Sequence, residues 1–211
     1  MTEIKASTGP KYARILSVGS AVPSKVIDNE HLLQYIESSE EWITQRTGIK
    51  ERRWIAEDES IETLSLAAAE QAIERAGISV DQIDAVILST ISHYHQTPAL
   101  APQLATKLGI PDAAAYDISA ACAGFSYGVA QAEALVRSGQ ARHVLLIAGE
   151  TISEITDLTD RGTAFLFGDG AGAVVVGPSE TNGIGPVVWG SDGSQAGTIW
   201  QTTDWHTAVE Q

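Results

Sequence analysis

The chain has 211 residues, of which 44% are hydrophobic, and its 27 acidic side chains outnumber 13 basic ones to leave a net charge of −14. That length and apolar content suit a folded domain with a real core, whereas binding to nucleic acid or to an anionic membrane needs a surplus of Lys and Arg that is missing here. The single cysteine excludes an internal disulfide and any cysteine-cluster metal site. The polar opening MTEIKASTGPKYAR has no apolar run of a secretory signal, and no later stretch is apolar for long enough to span a bilayer, so a cytoplasmic protein is expected.

Residues 1–12 read as a loose leader. Residues 14–20 (RILSVGS) have the content of a first strand, closed by Pro23. Asp28 or Asn29 can cap a short helix that places Leu32, Leu33 and Ile36 on one side. Ser38 and Glu41 have capping-box spacing for a second helix, with Trp42 and Arg46 one turn apart on the same face. Ile61, Leu64, Ala68, Ala72 and Ile73 recur at helical spacing up to a stop at Gly77. A strand over 85–90 follows, then a helix signalled by Thr97-Pro98 and ended by Gly109, then a short strand over 114–118.

Directly after that strand comes S-A-A-C-A-G-F, opening a segment from 123 to 136 that is small or apolar nearly all round, as a helix buried on most sides requires. Apolar runs at 144–149 and 171–177 suit central strands. Alternating strands and helices predict an α/β fold with a largely parallel or mixed sheet. Beyond Gly177 turn residues dominate, with one strand-like run over 187–189, and the ending at Gln211 reads as an interruption. The organisation expected is a leader over 1–12, one α/β unit over 13–178, and the start of a further region over 179–211.

Cys122 falls where a strand hands over to a helix, beside amide hydrogens that have no intrahelical partner, a setting that favours thiolate. Ala120, Ala121, Ala123 and Gly124 leave room for a substrate. The competing reading of a lone cysteine is a small buried hydrophobe. Arg46, Lys50, Arg52 and Arg53 form one local basic spot, either a phosphate site or a solvated face. G-D-G-A-G-A runs into an apolar strand and not into a helix, which weighs against a dinucleotide loop, and His93-x-His95 lacks the further ligands that a metal needs.

The string D-I-S-A-A-C-A-G-F resembles the nucleophile segment of the β-ketoacyl-acyl-carrier-protein synthase III family. Three more stretches match in order: E-W-I-T-Q-R-T-G-I-K-E-R at 41–52, D-L-T-D-R-G-T at 157–163 and F-G-D-G-A-G-A at 167–173. The resemblance implies the thiolase fold, with a mixed sheet, a buried nucleophile helix, and only the first of two similar halves in these residues. It also implies an acyltransferase in which Cys122 takes an acyl group from acyl-CoA, its amide contributes to an oxyanion hole, and malonyl-acyl carrier protein is decarboxylated to form the new carbon–carbon bond.

By the same resemblance Trp42 and Arg161 hold the CoA adenine between them, and Arg46 and Thr47 lie near the phosphates and pantetheine arm. Phe167 stands close to the reacting cysteine. Thr97 falls where a residue of the partner subunit closes the acyl pocket, so a homodimer is expected, and its small side chain implies acyl chains longer than acetyl. No cofactor or metal is implied, since acyl-CoA is a substrate. The family's His and Asn motifs, H-Q-A-N-like and G-N-T-S-like, do not occur in these residues, so the 211-residue portion is expected to be inactive alone. The alternatives are a non-catalytic fragment or paralogue that binds CoA or dimerises, and another thiolase-fold acyltransferase.

Overall fold

A computed structural model describes residues 7–110 and 112–201. The second half of the expected leader is therefore described, while 1–6, 111 and 202–211 lie outside the described residues. Five strands form one sheet: β1 (Tyr12–Ala21), β4 (Ile83–Ser89), β5 (Ala114–Ile118), β6 (His143–Glu150) and β7 (Gly170–Ser179), in the order β1-β7-β6-β4-β5. β6, β4 and β5 run parallel, and β7 is antiparallel to both β6 and β1, so the sheet is mixed.

The central strands are apolar on both sides because each face carries a helix. Val86, Leu88, Leu145, Ile147, Ala173 and Val175 pack with α3 (Ile61–Ala76) and α4 (Ala101–Lys107). Their alternate neighbours Ala85, Ile87, Val144, Leu146, Val174 and Val176 pack with α5 (Gly124–Arg137). α3 starts in a capping box between Ser60 and Thr63 and stops at Gly77, whose φ of 66° is left-handed. It lies so close to β1 that a Cβ on Gly19 would stand 2.0 Å from the Ala68 carbonyl oxygen and 2.6 Å from the Ala72 nitrogen.

A smaller core lies beside the sheet. The strands β2 (Lys25–Asp28) and β3 (Glu51–Trp54) pair as an antiparallel ribbon, joined through α1 (Asn29–Leu32) and α2 (Glu40–Thr47). Ile27, Leu32, Ile36, Ile43, Trp54 and Phe165 are buried together there.

Several expectations shift in the structure. Ser39, not Ser38, caps α2, its hydroxyl accepting the Trp42 amide at 3.1 Å. α1 ends at Leu32, so Leu33 turns outward while Leu32 and Ile36 stay inside. α4 begins at Ala101, with Pro102 in its first turn, because the Asp117 carboxylate accepts the Leu100 and Ala101 amides at 2.8 Å each; Thr97-Pro98 is a cis peptide in the preceding loop. Residues 187–189 form no strand and are exposed. The described part of the leader is docked, the Ser7 hydroxyl donating to the Ser138 carbonyl, and Tyr12 already belongs to β1.

Replacing Gly19 with Ala drives a methyl group into helix backbone on a packed interface, where no side chain can move aside. We expect Gly19→Ala to lower stability by about 1–3 kcal/mol, read as a fall of several degrees in the thermal midpoint. An unchanged midpoint would contradict the close α3–β1 approach.

Candidate functional site

β1, β4, β5 and β6 point the same way, so the loops after them gather at one edge of the sheet, together with the loop that leads into β7. That carboxyl edge is where open α/β sheets place their ligands. Cys122 lies on it in a single 3-10 turn, Ala121–Ala123, between β5 and α5. The thiol is exposed. Ala121, just before it, has φ 44°, a left-handed conformation that costs a residue with a Cβ about 1–3 kcal/mol and has to be held by its surroundings. Gly124 opens α5 directly against β4: a Cβ there would stand 1.9 Å from Ser89 Oγ. Gly128, one turn on, faces Leu146 in the same way. α5 has no side-chain cap and no acidic residue in its first turn, so its positive end is left to the Cys122 loop. The helix buries Gly124, Gly128, Ala132 and Val136 on the sheet, while Phe125, Ser126 and Ala134 are exposed.

A second cluster is built on the smaller core. The Trp42 indole is half-buried and meets the Phe165 ring edge-on, with centroids 5.4 Å apart. Two guanidinium groups lie against the same indole, that of Arg46 at 4.8 Å from the ring centre and that of Arg161 at 4.7 Å. Both arginines are exposed. Such contacts are favourable for a planar cation on an aromatic face, and a nucleotide base offers the same flat surface. Thr47 closes α2, its hydroxyl donating to the Ile43 carbonyl at 2.8 Å and accepting the Ile49 amide at 3.0 Å.

The loop that carries Arg161, Phe165 and Phe167 is tied to β3 along its length. Arg52 donates to the Phe165 carbonyl at 3.2 Å, Trp54 Nε1 to the Phe167 carbonyl at 3.4 Å, and the Asp169 amide to the Arg53 carbonyl at 2.8 Å. The Asp169 carboxylate in turn accepts the Ile55 and Ser153 amides at 2.9 and 2.8 Å, and the Ser153 hydroxyl. The D of the glycine-rich string is thus a buried fastener. Phe167 itself is exposed at the carboxyl edge, as is Thr97 in the loop after β4.

Trp42, Arg46 and Arg161 are brought into one cluster, while Cys122, Thr97 and Phe167 stand on three separate loops at that edge. The expected basic spot is not one. Arg52 is 7% exposed, with its guanidinium on backbone carbonyls and Asn29, and burial lowers its pKa from the ordinary value while Asp28 partly offsets this. Arg53 turns back onto the Pro23 carbonyl at 3.3 Å, which leaves Arg46 and Lys50 as the exposed cations of that stretch. His93 and His95 stack on each other with ring centroids 5.6 Å apart.

Glu150, at the end of β6, was not singled out by sequence. It accepts the Ser92 hydroxyl at 2.5 Å, the Ile91 amide at 3.0 Å and the Thr90 hydroxyl at 3.2 Å, and Ser92 Oγ accepts the Thr151 amide at 2.8 Å. One carboxylate therefore joins the ends of β4 and β6 behind the Thr97 loop. Its only sequence signal is a charge that closes an apolar strand.

Residues 116–193 match the family model described as 3-oxoacyl-[acyl-carrier-protein] synthase III. Over 205 residues, 97% of this chain, the sequence is 55% identical to β-ketoacyl-[acyl-carrier-protein] synthase III 1 of Streptomyces avermitilis, of whose length it spans 58%. The fold matches the crystal structure of the priming β-ketosynthase from the R1128 polyketide biosynthetic pathway with a TM-score of 0.95 and 43% identity, over 99% of this chain and 62% of that one. It also matches the synthase III of Thermus thermophilus with a TM-score of 0.84 and 42% identity, over 89% of this chain and 58% of that one. The chain thus resembles synthase III proteins in sequence and in thiolase-like fold over nearly all of its own length, and spans 58–62% of the length of these three relatives.

The environment of Glu150 has a consequence for pH. Burial raises its carboxyl above the ordinary 4.5, with the hydrogen bonds from Ser92, Ile91 and Thr90 working against that rise. The folded state then keeps a proton that the unfolded state has already released, so the stability it contributes is full at low pH and is lost as pH rises through the folded value. In urea titrations from about pH 4 to 8, wild-type stability relative to Glu150→Gln should fall as pH rises through the window between the unfolded and folded values and level off above it. A difference independent of pH would show that the carboxyl is not raised.

Proposed function

We propose that the complete protein is a β-ketoacyl-acyl-carrier-protein synthase III, an acyltransferase that joins an acyl-CoA primer to malonyl-acyl carrier protein and so starts fatty acid or polyketide chains. The observation that carries this reading is the lone thiol of the chain, exposed on a strained turn at the carboxyl edge of the sheet, inside the stretch matched by the family model. Cys122 attacks the thioester carbonyl as thiolate, and its sulfur–carbon bond forms as the CoA thiolate leaves. Decarboxylation of the malonyl thioester then supplies a carbanion that attacks the acyl-cysteine, expelling the Cys122 thiolate. Amides of the turn that leads into α5, that of Cys122 included, stabilise the oxyanion.

Trp42 and Arg161 take the CoA adenine between them, and Arg46 lies toward the phosphates. The 4.7 Å contact between Arg161 and the indole is shorter than the two stacking distances that a base between them needs, so Arg161 moves aside as CoA enters. A homodimer is favoured by the resemblance at Thr97 and by β5, which pairs only with β4 among the described residues and leaves a half-exposed edge open. The protein acts in the cytoplasm, where an exposed free thiol stays reduced. The His and Asn side chains that the second step needs belong to the family's second half, and the 211-residue portion is inactive by itself.

Incubation of the full-length protein with labelled acyl-CoA should place one acyl group on Cys122, seen by intact and peptide mass spectrometry, and none on the Cys122→Ala variant. Label retained in that variant excludes the cysteine, and a wild type that binds CoA without acquiring label points to the non-catalytic reading.

Across a primer series, turnover should favour chains longer than acetyl. Thr97→Phe should shift the preference toward acetyl by about 10-fold or more. Exclusive use of acetyl-CoA by the wild type would count against a pocket shaped by Thr97.

A further inference from the structure

Arg52 and Asn29 are 7% and 2% exposed, and neither has been given a part in the chemistry. Together they span the smaller core from the loop of Arg161 to the helix of Trp42. Arg52 Nη2 donates to the Phe165 carbonyl at 3.2 Å and to Asn29 Oδ1 at 2.7 Å, while Nη1 donates to the Ile27 and Asp28 carbonyls at 3.2 and 3.0 Å. Asn29 Nδ2 passes the connection on, donating to Thr44 Oγ1 in α2 at 3.3 Å and to the Ile49 carbonyl just beyond α2 at 2.8 Å. Phe165 is the residue whose ring meets Trp42 edge-on.

None of the ion pairs among the described residues involves Arg52; its hydrogen bonds go to carbonyl-type oxygens alone, and the Asp28 charge nearby offsets only part of the effect of burial. A buried cation with no carboxylate in direct contact is a costly way to fill a core. What the guanidinium supplies that an apolar side chain cannot is a rigid fork able to fix several oxygens at once. The oxygens it fixes belong to the ribbon and to the loop that flanks the indole.

We infer that Arg52, acting through Asn29, is a positioning residue that sets the spacing between the Trp42 indole and the Arg161 loop, and so makes acylation selective for thioesters that carry a nucleotide. The inference rests on the proposed synthase reading. Neither residue touches the acyl group or Cys122. Loosening the link therefore weakens capture of the adenine end and leaves the acyl end unaffected.

The test compares Cys122 labelling in the full-length protein by two donors of the same acyl group, its CoA thioester and its N-acetylcysteamine thioester, which has no nucleotide. Wild type should label faster with the CoA thioester. Arg52→Lys keeps the charge and loses the fork, and Asn29→Ser removes the relay with a smaller change. Either variant should lose about 10-fold or more of its rate at low CoA thioester concentration, recovering at saturation, with the short thioester unaffected.

Equal losses with both donors would mean a merely structural role, and no loss with either would mean no role; each overturns the inference. Should Arg52→Lys fail to fold, Asn29→Ser carries the same test. A wild type that takes no label, or that labels equally well with both donors, overturns the underlying synthase or CoA reading itself, a result separate from any behaviour of the variants.

Discussion

The double cover of the central strands constrains everything else. β4, β6 and β7 send alternate side chains into two different cores, one under α3 and α4 and one under α5. A fully buried Val, Leu or Ile contributes about 1.5–3 kcal/mol, so the middle of such a sheet has no room for polar chemistry. Reactive groups are left to the strand ends. The glycines follow from the same requirement: the helices lie close enough to the sheet that a methyl group at Gly19, Gly124 or Gly128 would collide with what faces it.

At the strand ends the problem reverses, because loops must be held in place with little apolar surface to bury. Buried or half-buried polar side chains do this at three of them. Asp117 fixes the start of α4, Asp169 gathers the 152–154 turn and the end of β3, and Glu150 joins the strand ends behind Thr97. The cysteine's own turn is held differently, by a glycine seated on Ser89 next to a left-handed alanine. The sulfur is thus positioned by the large core, and the indole cluster by the small one. β3 and Asp169 link the two, so Cys122 and the indole cluster are held by separately stabilised parts of one chain.

Local signals in the sequence carried most of the fold. The α3 pattern from Ile61 to Ala76, its stop at Gly77 and the strand over 114–118 are read from side chains a few residues apart. The placement of Cys122 between a strand and a helix, and of Trp42 one turn from Arg46, is legible for the same reason: both relations lie within a few residues along the chain. The β2–β3 ribbon was missed. Its four-residue strands are too short for periodicity, and the run Glu51-Arg52-Arg53-Trp54 looks like solvated charge until Ile27 and Trp54 are seen to share a core.

The sequence by itself therefore determined the order of the main-sheet strands and of the helices between them, the α/β class, the single candidate nucleophile and its likeness to synthase III. Tertiary structure alone decided which charges face inward. Arg52 and Lys50 are equivalent as letters, yet Arg52 lies inside because its fork meets carbonyls of Ile27 and Asp28 in one direction and of Phe165, 113 residues away, in the other. Burial of a charge depends on acceptors supplied by distant segments, and no local pattern along the chain reports where those acceptors will be.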